Sequence, residues 1–169
     1  MNLLLLKFLE VKNLDEDFQK IKKIHKISMF KSVSEAFGEW DEDFQKTRLE
    51  KHFNESFNTL KFIEFKNETI GTINFRYKIT EDKNFNFIEQ FYLLPEFQRK
   101  GIGSYVFNFK LNLDEQNCET RLSVLKNDNG AQKFYFNHGF KEYSEDRYQK
   151  YLQKFPHPQL NNTKHLICI

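Results

Sequence analysis

The chain has 169 residues, with 26 Lys and Arg against 24 Asp and Glu and a formal net charge of +2. That is the length of one ordinary domain, able to bury a sizeable core without disulfides or metals. The balanced charges gather into no basic tail or stripe for a nucleic acid, and none of the five histidines lies at a metal-ligand spacing.

The two cysteines, Cys118 and Cys168, are far apart and form no CxxC, which suits a reduced, cytoplasmic protein. The opening "MNLLLLKFLEVK" lacks a basic n-region and a small-residue cleavage site, and Lys7, Glu10 and Lys12 interrupt it. It is predicted to be a first strand, Leu3 to Val11. No other stretch approaches the roughly 18 apolar residues of a membrane span, so a soluble protein with no membrane partner is expected.

A helix follows, with Asn13 or Asp15 as its cap. Phe18, Ile21, Ile24, Ile27 and Phe30 recur at helical spacing, acids lead and lysines trail. After a loop around Gly38, "DEDFQKTRLEKHF" predicts a second helix. "TLKFIEFKNETIGTINFRYKI" alternates like two strands broken at Lys66-Asn67-Glu68, a hairpin. "FNFIEQFYLL" is a third strand in succession, stopped by Pro95, which has no N–H for a ladder. The spacing then predicts a helix from Gly101 to about Asp114, a strand "TRLSVL", a helix from Asn129 to His138 closed by Gly139, and one or two short strands in "KEYSEDRYQKYLQKF". The order β-α-α-β-β-β-α-β-α-β is mixed α/β with one core. Residues 1–155 form the expected domain; the tail 156–169 is polar until "HLICI", and packing on an edge and staying mobile both remain open for it.

The most informative stretch is "EFQRKGIGSY". Of six glycines in the chain, two stand here, between a strand and a helix. Glycine lets a backbone approach a ligand closely. The unpaired N–H groups of a first helical turn favour an anion, and Arg99 and Lys100 add positive charge. A polyphosphate fits. The Walker pattern GxxxxGK[ST] is absent, and GxGxxG fails because position 106 is valine. Gln98 to Gly103 read Q-x-x-G-x-G, which resembles the pyrophosphate loop [QR]-x-x-G-x-[GA] of the GNAT superfamily of N-acetyltransferases. "NGAQKFYFNHGF" resembles a second signature of that superfamily, N-x-A-x-x-x-Y-x-x-x-G-F, through Asn129, Ala131, Tyr135, Gly139 and Phe140. "GEWDEDFQ" is more loosely similar to a stretch in some bacterial members with small-molecule acceptors.

The resemblance implies an α/β (α+β) fold: a mixed, mostly antiparallel six- to seven-stranded sheet, helices on both faces and a splayed central strand pair. It implies that Gln98, Arg99, Lys100, Gly101, Ile102, Gly103 and Ser104 cradle the coenzyme A pyrophosphate. The main chain of Phe91, Tyr92 and Leu93 would pair with the pantetheine arm as an added strand does. Asn129 is either a helix cap or a cap that also bonds the pantetheine amide. Tyr135, four residues after Ala131 and on the same helical face, would protonate the departing thiolate; the competing reading is a core aromatic. Glu89 is either a base, direct or through water, an anchor for the acceptor amine, or one half of a strand-end ion pair. Trp40, Asp41 and Glu42 would line the acceptor pocket, or be a packed ring and a helix cap.

The activity implied is an acetyl-CoA-dependent N-acetyltransferase, with direct attack by a primary amine and no metal. The alternative is a non-catalytic acyl-CoA-binding sensor or interaction module of the same fold. Homodimers are common among relatives. Polyamines, amino acids, aminoglycosides and a protein N-terminus all remain open as acceptors.

Overall fold

The structure, a computed structural model, describes residues 2–12, 14–113 and 117–156. In chain order it contains β1 (Leu6–Glu10), α1 (Leu14–Phe37), α2 (Glu42–Ser56), β2 (Leu60–Phe65), β3 (Glu68–Lys78) and β4 (Phe85–Leu93). Then come α3 (Ile102–Tyr105), which runs into a π-type turn at Val106–Lys110, β5 (Thr120–Leu125), α4 (Asn129–Asn137), β6 (Lys141–Glu145) and β7 (Gln149–Lys154). The strands form one seven-stranded sheet in the order β1-β2-β3-β4-β5-β7-β6. The β1–β2, β2–β3, β5–β7 and β6–β7 pairs are antiparallel and β4–β5 is parallel. This is the mixed, mostly antiparallel sheet expected. The parallel ladder joins only Asn86–Ile88 to Thr120–Leu122, whereas β4 runs on to Leu93 and β5 to Leu125.

Several boundaries differ from the predicted ones. Leu3–Leu5 forms a 3-10 turn rather than strand, because the Asn2 side chain accepts the Leu4 N–H at 3.2 Å. Asp15 is no cap; it lies in the first turn of α1 with Glu16 and Asp17, where acids complement the helix dipole. Asp17, largely buried, accepts the Lys12 N–H at 2.7 Å; Asn13 lies outside the described residues. Helix α1 continues beyond Phe30 to Phe37, and Gly38 ends it by donating to the Ser34 carbonyl at 2.8 Å. The third helix widens after Tyr105, with the Leu111 N–H reaching back five residues to the Val106 carbonyl at 2.8 Å; Asp114 lies outside the described residues. The Lys66-Asn67 hairpin turn forms as predicted, both residues having positive φ, 53° and 63°, the twist that suits a two-residue turn between antiparallel strands.

The chain divides into two compact units, Met1–Phe75 with Gln90–Ile102, and Arg76–Glu89 with Gly103–Ile169. The core of the first is Phe18, Ile21 and Ile24 from α1, Leu49 and Phe53 from α2, and Leu60 and Phe62 from β2, with Val11, Tyr92 and Leu94 packed against it. The helical residues are those three or four apart on one stripe, which is how the sequence pattern becomes a buried face. Asn74 is buried but satisfied: its Nδ2 donates to Ser56 Oγ and its Oδ1 accepts from Thr59 Oγ1, both at 2.7 Å. That pair of bonds fastens the end of α2 to β3.

The second unit is centred on Phe107, whose ring meets Phe134, Tyr135, His138 and Phe140 at centroid distances of 5.0 to 6.2 Å. A buried carboxylate, Glu119, is held by Lys83 and Arg121, as a charge removed from water requires. The Arg121 guanidinium lies over Phe85 at 4.4 Å and Tyr143 at 5.2 Å. Cys118 is buried, and Cys168 lies outside the described residues. Among the described residues no helix is long and apolar enough to cross a membrane, and no cluster of His, Cys, Asp and Glu could hold a metal ion.

Candidate functional site

In the first unit the glycine loop grows out of the end of β4. The Leu94 N–H donates to the Ile70 carbonyl at 2.9 Å, and Pro95–Phe97 then forms a 3-10 turn. Gln98, the first residue of Q-x-x-G-x-G, donates its Nε2 to the Leu93 carbonyl at 2.8 Å. Its side chain therefore ties the loop to the strand. Arg99 and Gly101 both have positive φ, 58° and 79°, and a Cβ at Gly101 would meet nothing within 4 Å. Gly101 is thus required by backbone conformation, and the space above it is open. Gln98, Arg99, Lys100 and Gly101 are exposed, and Lys100 Nζ lies 5.7 Å from the Phe97 ring centre. Ile102 is 1% exposed, so it offers only main-chain groups to a ligand while its side chain anchors the helix start.

Another glycine, Gly71, was not singled out in the sequence. A Cβ there would lie 2.2 Å from the Tyr92 carbonyl oxygen and 2.9 Å from Leu93 Cδ2. Its absence lets β3 press against β4 at Phe91–Leu93, the segment expected to face the pantetheine arm. The available signal was a lone glycine inside an alternating strand, "TIGTIN", which marks a close approach of backbones. Helix α1 reaches the same segment: Ser28 Oγ donates to the Leu93 carbonyl at 3.3 Å, and the His25 ring lies 5.3 Å from Tyr92.

Asp41 is the cap of α2, accepting the Phe44 N–H at 2.8 Å. Trp40 packs 5.4 Å from His25 and 5.7 Å from Phe30, and its Nε1 donates to Glu42 at 2.7 Å. Bonds from Lys26, Trp40 and Lys22 hold the exposed Glu42 carboxyl down to about 2. His25 is 4% exposed; burial, helped by Arg48 and His52, lowers its pKa from 6.5 to about 4. Between those values the unfolded chain binds a proton that the folded chain refuses, so the stability owed to neutral His25 is complete above about pH 6.5 and lost as pH falls. Thermal unfolding followed from pH 7 to pH 5 should show a loss of about 2 kcal/mol. His25→Phe should flatten that slope; an unchanged slope would mean that the imidazole is not kept neutral.

In the second unit, α4 is capped by Asp128, whose Oδ1 accepts the Ala131 N–H at 2.9 Å. Asn129 is not the cap expected. It is the first residue of the helix and is exposed; the side chain that accepts the Ala131 N–H belongs to the residue before it. Tyr135 is 8% exposed and its ring stacks on Phe107 at 6.0 Å, with Phe140 at 5.9 Å. The ring is a core aromatic. His138 ends the helix, its Nδ1 bonded to the Phe134 carbonyl at 2.8 Å. Glu89 forms the ion pair anticipated as one of its readings: Arg76 Nη2 donates to its Oε1 at 2.6 Å, and the Glu89 side chain is 6% exposed. Beside Ser104 opens a cavity of about 860 Å³, bordered by Asn108, Phe134, His138, Lys141 and Lys154.

Comparison with known proteins bears directly on these elements. No curated protein matches the chain. Among solved structures it is similar to PH1933 from Pyrococcus horikoshii OT3 (19% identity, TM-score 0.68, covering 90% of this chain and 99% of that one). It is also similar to Arabidopsis thaliana Naa50 in complex with the bisubstrate analogue CoA-Ac-MVNAL (21%, 0.63, 89% and 98%). A third is the PaiA N-acetyltransferase of Thermoplasma acidophilum in complex with coenzyme A (18%, 0.63, 89% and 98%). At these identities the likeness is one of fold. The family model described as the acetyltransferase (GNAT) family matches residues 22–140, from the middle of α1 through the glycine loop to the end of the α4 signature. The chain belongs to the acetyltransferase (GNAT) family.

Proposed function

We propose that the protein transfers an acetyl group from acetyl-CoA to a primary amine by direct attack. The observation that carries this reading is the loop after β4, where Gly101 at φ 79° leaves open space above an exposed backbone flanked by Arg99 and Lys100. Main-chain N–H groups there would bind the pyrophosphate. The main chain of Phe91, Tyr92 and Leu93 would hold the thioester arm. The bound complexes of Naa50 and PaiA support coenzyme A as the partner.

In the proposed reaction the acceptor ammonium loses a proton to Glu89, directly or through water, and the neutral amine adds to the thioester carbonyl. The charge that develops on oxygen is met by a main-chain N–H near Leu93. Collapse expels the thiolate, which takes its proton from Tyr135, and the acetylated nitrogen gives its surplus proton to the phenolate, leaving a neutral amide and a restored Tyr135. The buried Tyr135 ring also suits a second reading, a sensor that binds acetyl-CoA without transfer.

Titration with acetyl-CoA, followed by thiol release with an amine panel, tests both. Binding with release supports the transferase, binding without release supports the sensor, and no binding ends both. The cap correction gives a further check. Asp128→Ala should cost about 1 kcal/mol in unfolding free energy. Asn129→Ala should leave stability within a few tenths of that scale and weaken acetyl-CoA binding about tenfold, the loss of roughly one hydrogen bond. Equal affinity in Asn129→Ala would remove it from the coenzyme site.

A further inference from the structure

The peptide that joins Leu93 to Leu94 is held at both of its polar ends by groups of the first unit. Its carbonyl oxygen accepts from Gln98 Nε2 at 2.8 Å and from Ser28 Oγ at 3.3 Å. Its N–H donates to the Ile70 carbonyl at 2.9 Å. A carbonyl oxygen has two lone pairs and an amide one hydrogen, so this peptide has no bonding capacity left for a ligand. The turn beyond it is as closely held. The Phe97 N–H donates to the Leu94 carbonyl at 2.9 Å, and the Gln98 N–H to the Pro95 carbonyl at 3.1 Å. Gln98 thus directs its main-chain donor and a side-chain amide hydrogen back toward the strand.

This peptide lies between the two stretches proposed to bind coenzyme A. Phe91–Leu93 precede it and would hold the thioester arm; Arg99 to Ile102 follow and would hold the diphosphate. One continuous ligand touches both, so the span from strand to loop must match the span from arm to diphosphate. The loop needs a fastening, because Arg99 and Gly101 stand at positive φ, 58° and 79°, and such backbone persists only where its surroundings fix it. Gln98 supplies one by bridging the Pro95–Phe97 turn. Ser28 supplies another to the same oxygen from α1, an element remote in sequence.

We infer that Gln98 and Ser28 are positioning residues, whose two bonds to the Leu93 carbonyl set the spacing between the diphosphate loop and the strand that holds the thioester arm. The inference rests on the transferase reading through coenzyme A as ligand, and deepens it. Neither side chain touches the reacting atoms. A loop and strand already at the right spacing spare the ligand an ordering cost on binding. Loss of a fastening therefore weakens a ligand that spans both, and not one held by the loop alone.

Two probes separate these cases: acetyl-CoA, and adenosine 3′-phosphate 5′-diphosphate, the same nucleotide without its pantetheine arm. Gln98→Met keeps the length and neutrality of the side chain but has no hydrogen to donate. In calorimetric titrations it should weaken acetyl-CoA about tenfold, the scale of one lost hydrogen bond, and the nucleotide by less than about twofold. Ser28→Ala, which removes the longer bond, should weaken acetyl-CoA about threefold and the nucleotide again by less than about twofold. Gln98→Arg restores a donor. The ratio of its two affinities should return to within about twofold of the unsubstituted protein's, since an added charge beside the diphosphate acts on both ligands and cancels.

Equal weakening of both probes in Gln98→Met would make Gln98 a phosphate contact, and unchanged affinity for both would make its bond incidental. An unrestored ratio in Gln98→Arg would make shape rather than donation decisive. An unsubstituted protein that binds acetyl-CoA but not the nucleotide would lack a separate diphosphate site. Each of these results overturns the inference and leaves the transferase reading standing; failure of the unsubstituted protein to bind acetyl-CoA removes that reading and the inference with it.

Discussion

Tyr135→Phe is expected to lower kcat about a hundredfold, the lower end of what a positioned general acid contributes, with acetyl-CoA affinity nearly unchanged. The ring stays because Phe107, Phe134 and Phe140 surround it whether or not it carries a hydroxyl. Removing one hydroxyl from such a position costs about 1 kcal/mol of stability, so the melting temperature should fall by only about 2–4 °C. A thiolate leaving without a proton donor is the costly step, and that cost belongs to kcat. Thiol-release kinetics on the purified variant, with calorimetric titration of acetyl-CoA, separate the two quantities. Full activity in Tyr135→Phe would assign the residue to packing alone and leave the acid to be found elsewhere.

Gly71→Ala should produce the largest loss of stability of any single methyl added to the first unit. The new carbon would lie 2.2 Å from the Tyr92 carbonyl oxygen, a backbone atom, so relief requires β3 or β4 to move. Overpacking of this kind costs about 3 kcal/mol, or about 6–12 °C in melting temperature for a chain of this size. Because Tyr92 lies in the segment proposed to hold the thioester arm, acetyl-CoA affinity should fall with it. Gly101→Ala is the contrasting case. Nothing would touch its Cβ, and only the φ of 79° opposes it, so its cost should be about 1 kcal/mol. Thermal melts of the two variants side by side would show whether close approach or backbone conformation is the stronger demand; equal shifts would refute the difference.

Much of this was legible before any coordinates. The apolar spacing of Phe18, Ile21 and Ile24 became the buried stripe of α1, and Lys66-Asn67 became the hairpin turn, because both depend on residues a few positions apart. The Q-x-x-G-x-G loop and the Asn129-to-Phe140 signature were equally readable as a family resemblance, since each is a short contiguous pattern. Helix ends were less so: Asn129 and Asp128 are both good caps, and the choice between them depends on backbone geometry finer than composition records.

The amino-acid order by itself determined the element types, their succession, the glycine loop and the family. Only the tertiary structure decided that Arg76 meets Glu89, that Gln98 and Ser28 share the Leu93 carbonyl, that Gly71 clears the way for Tyr92, and that His25, Trp40 and Phe30 make one aromatic run. Helical periodicity and turn chemistry are set by neighbours along the chain, whereas pairing register and ring contacts depend on which distant segments the sheet brings together.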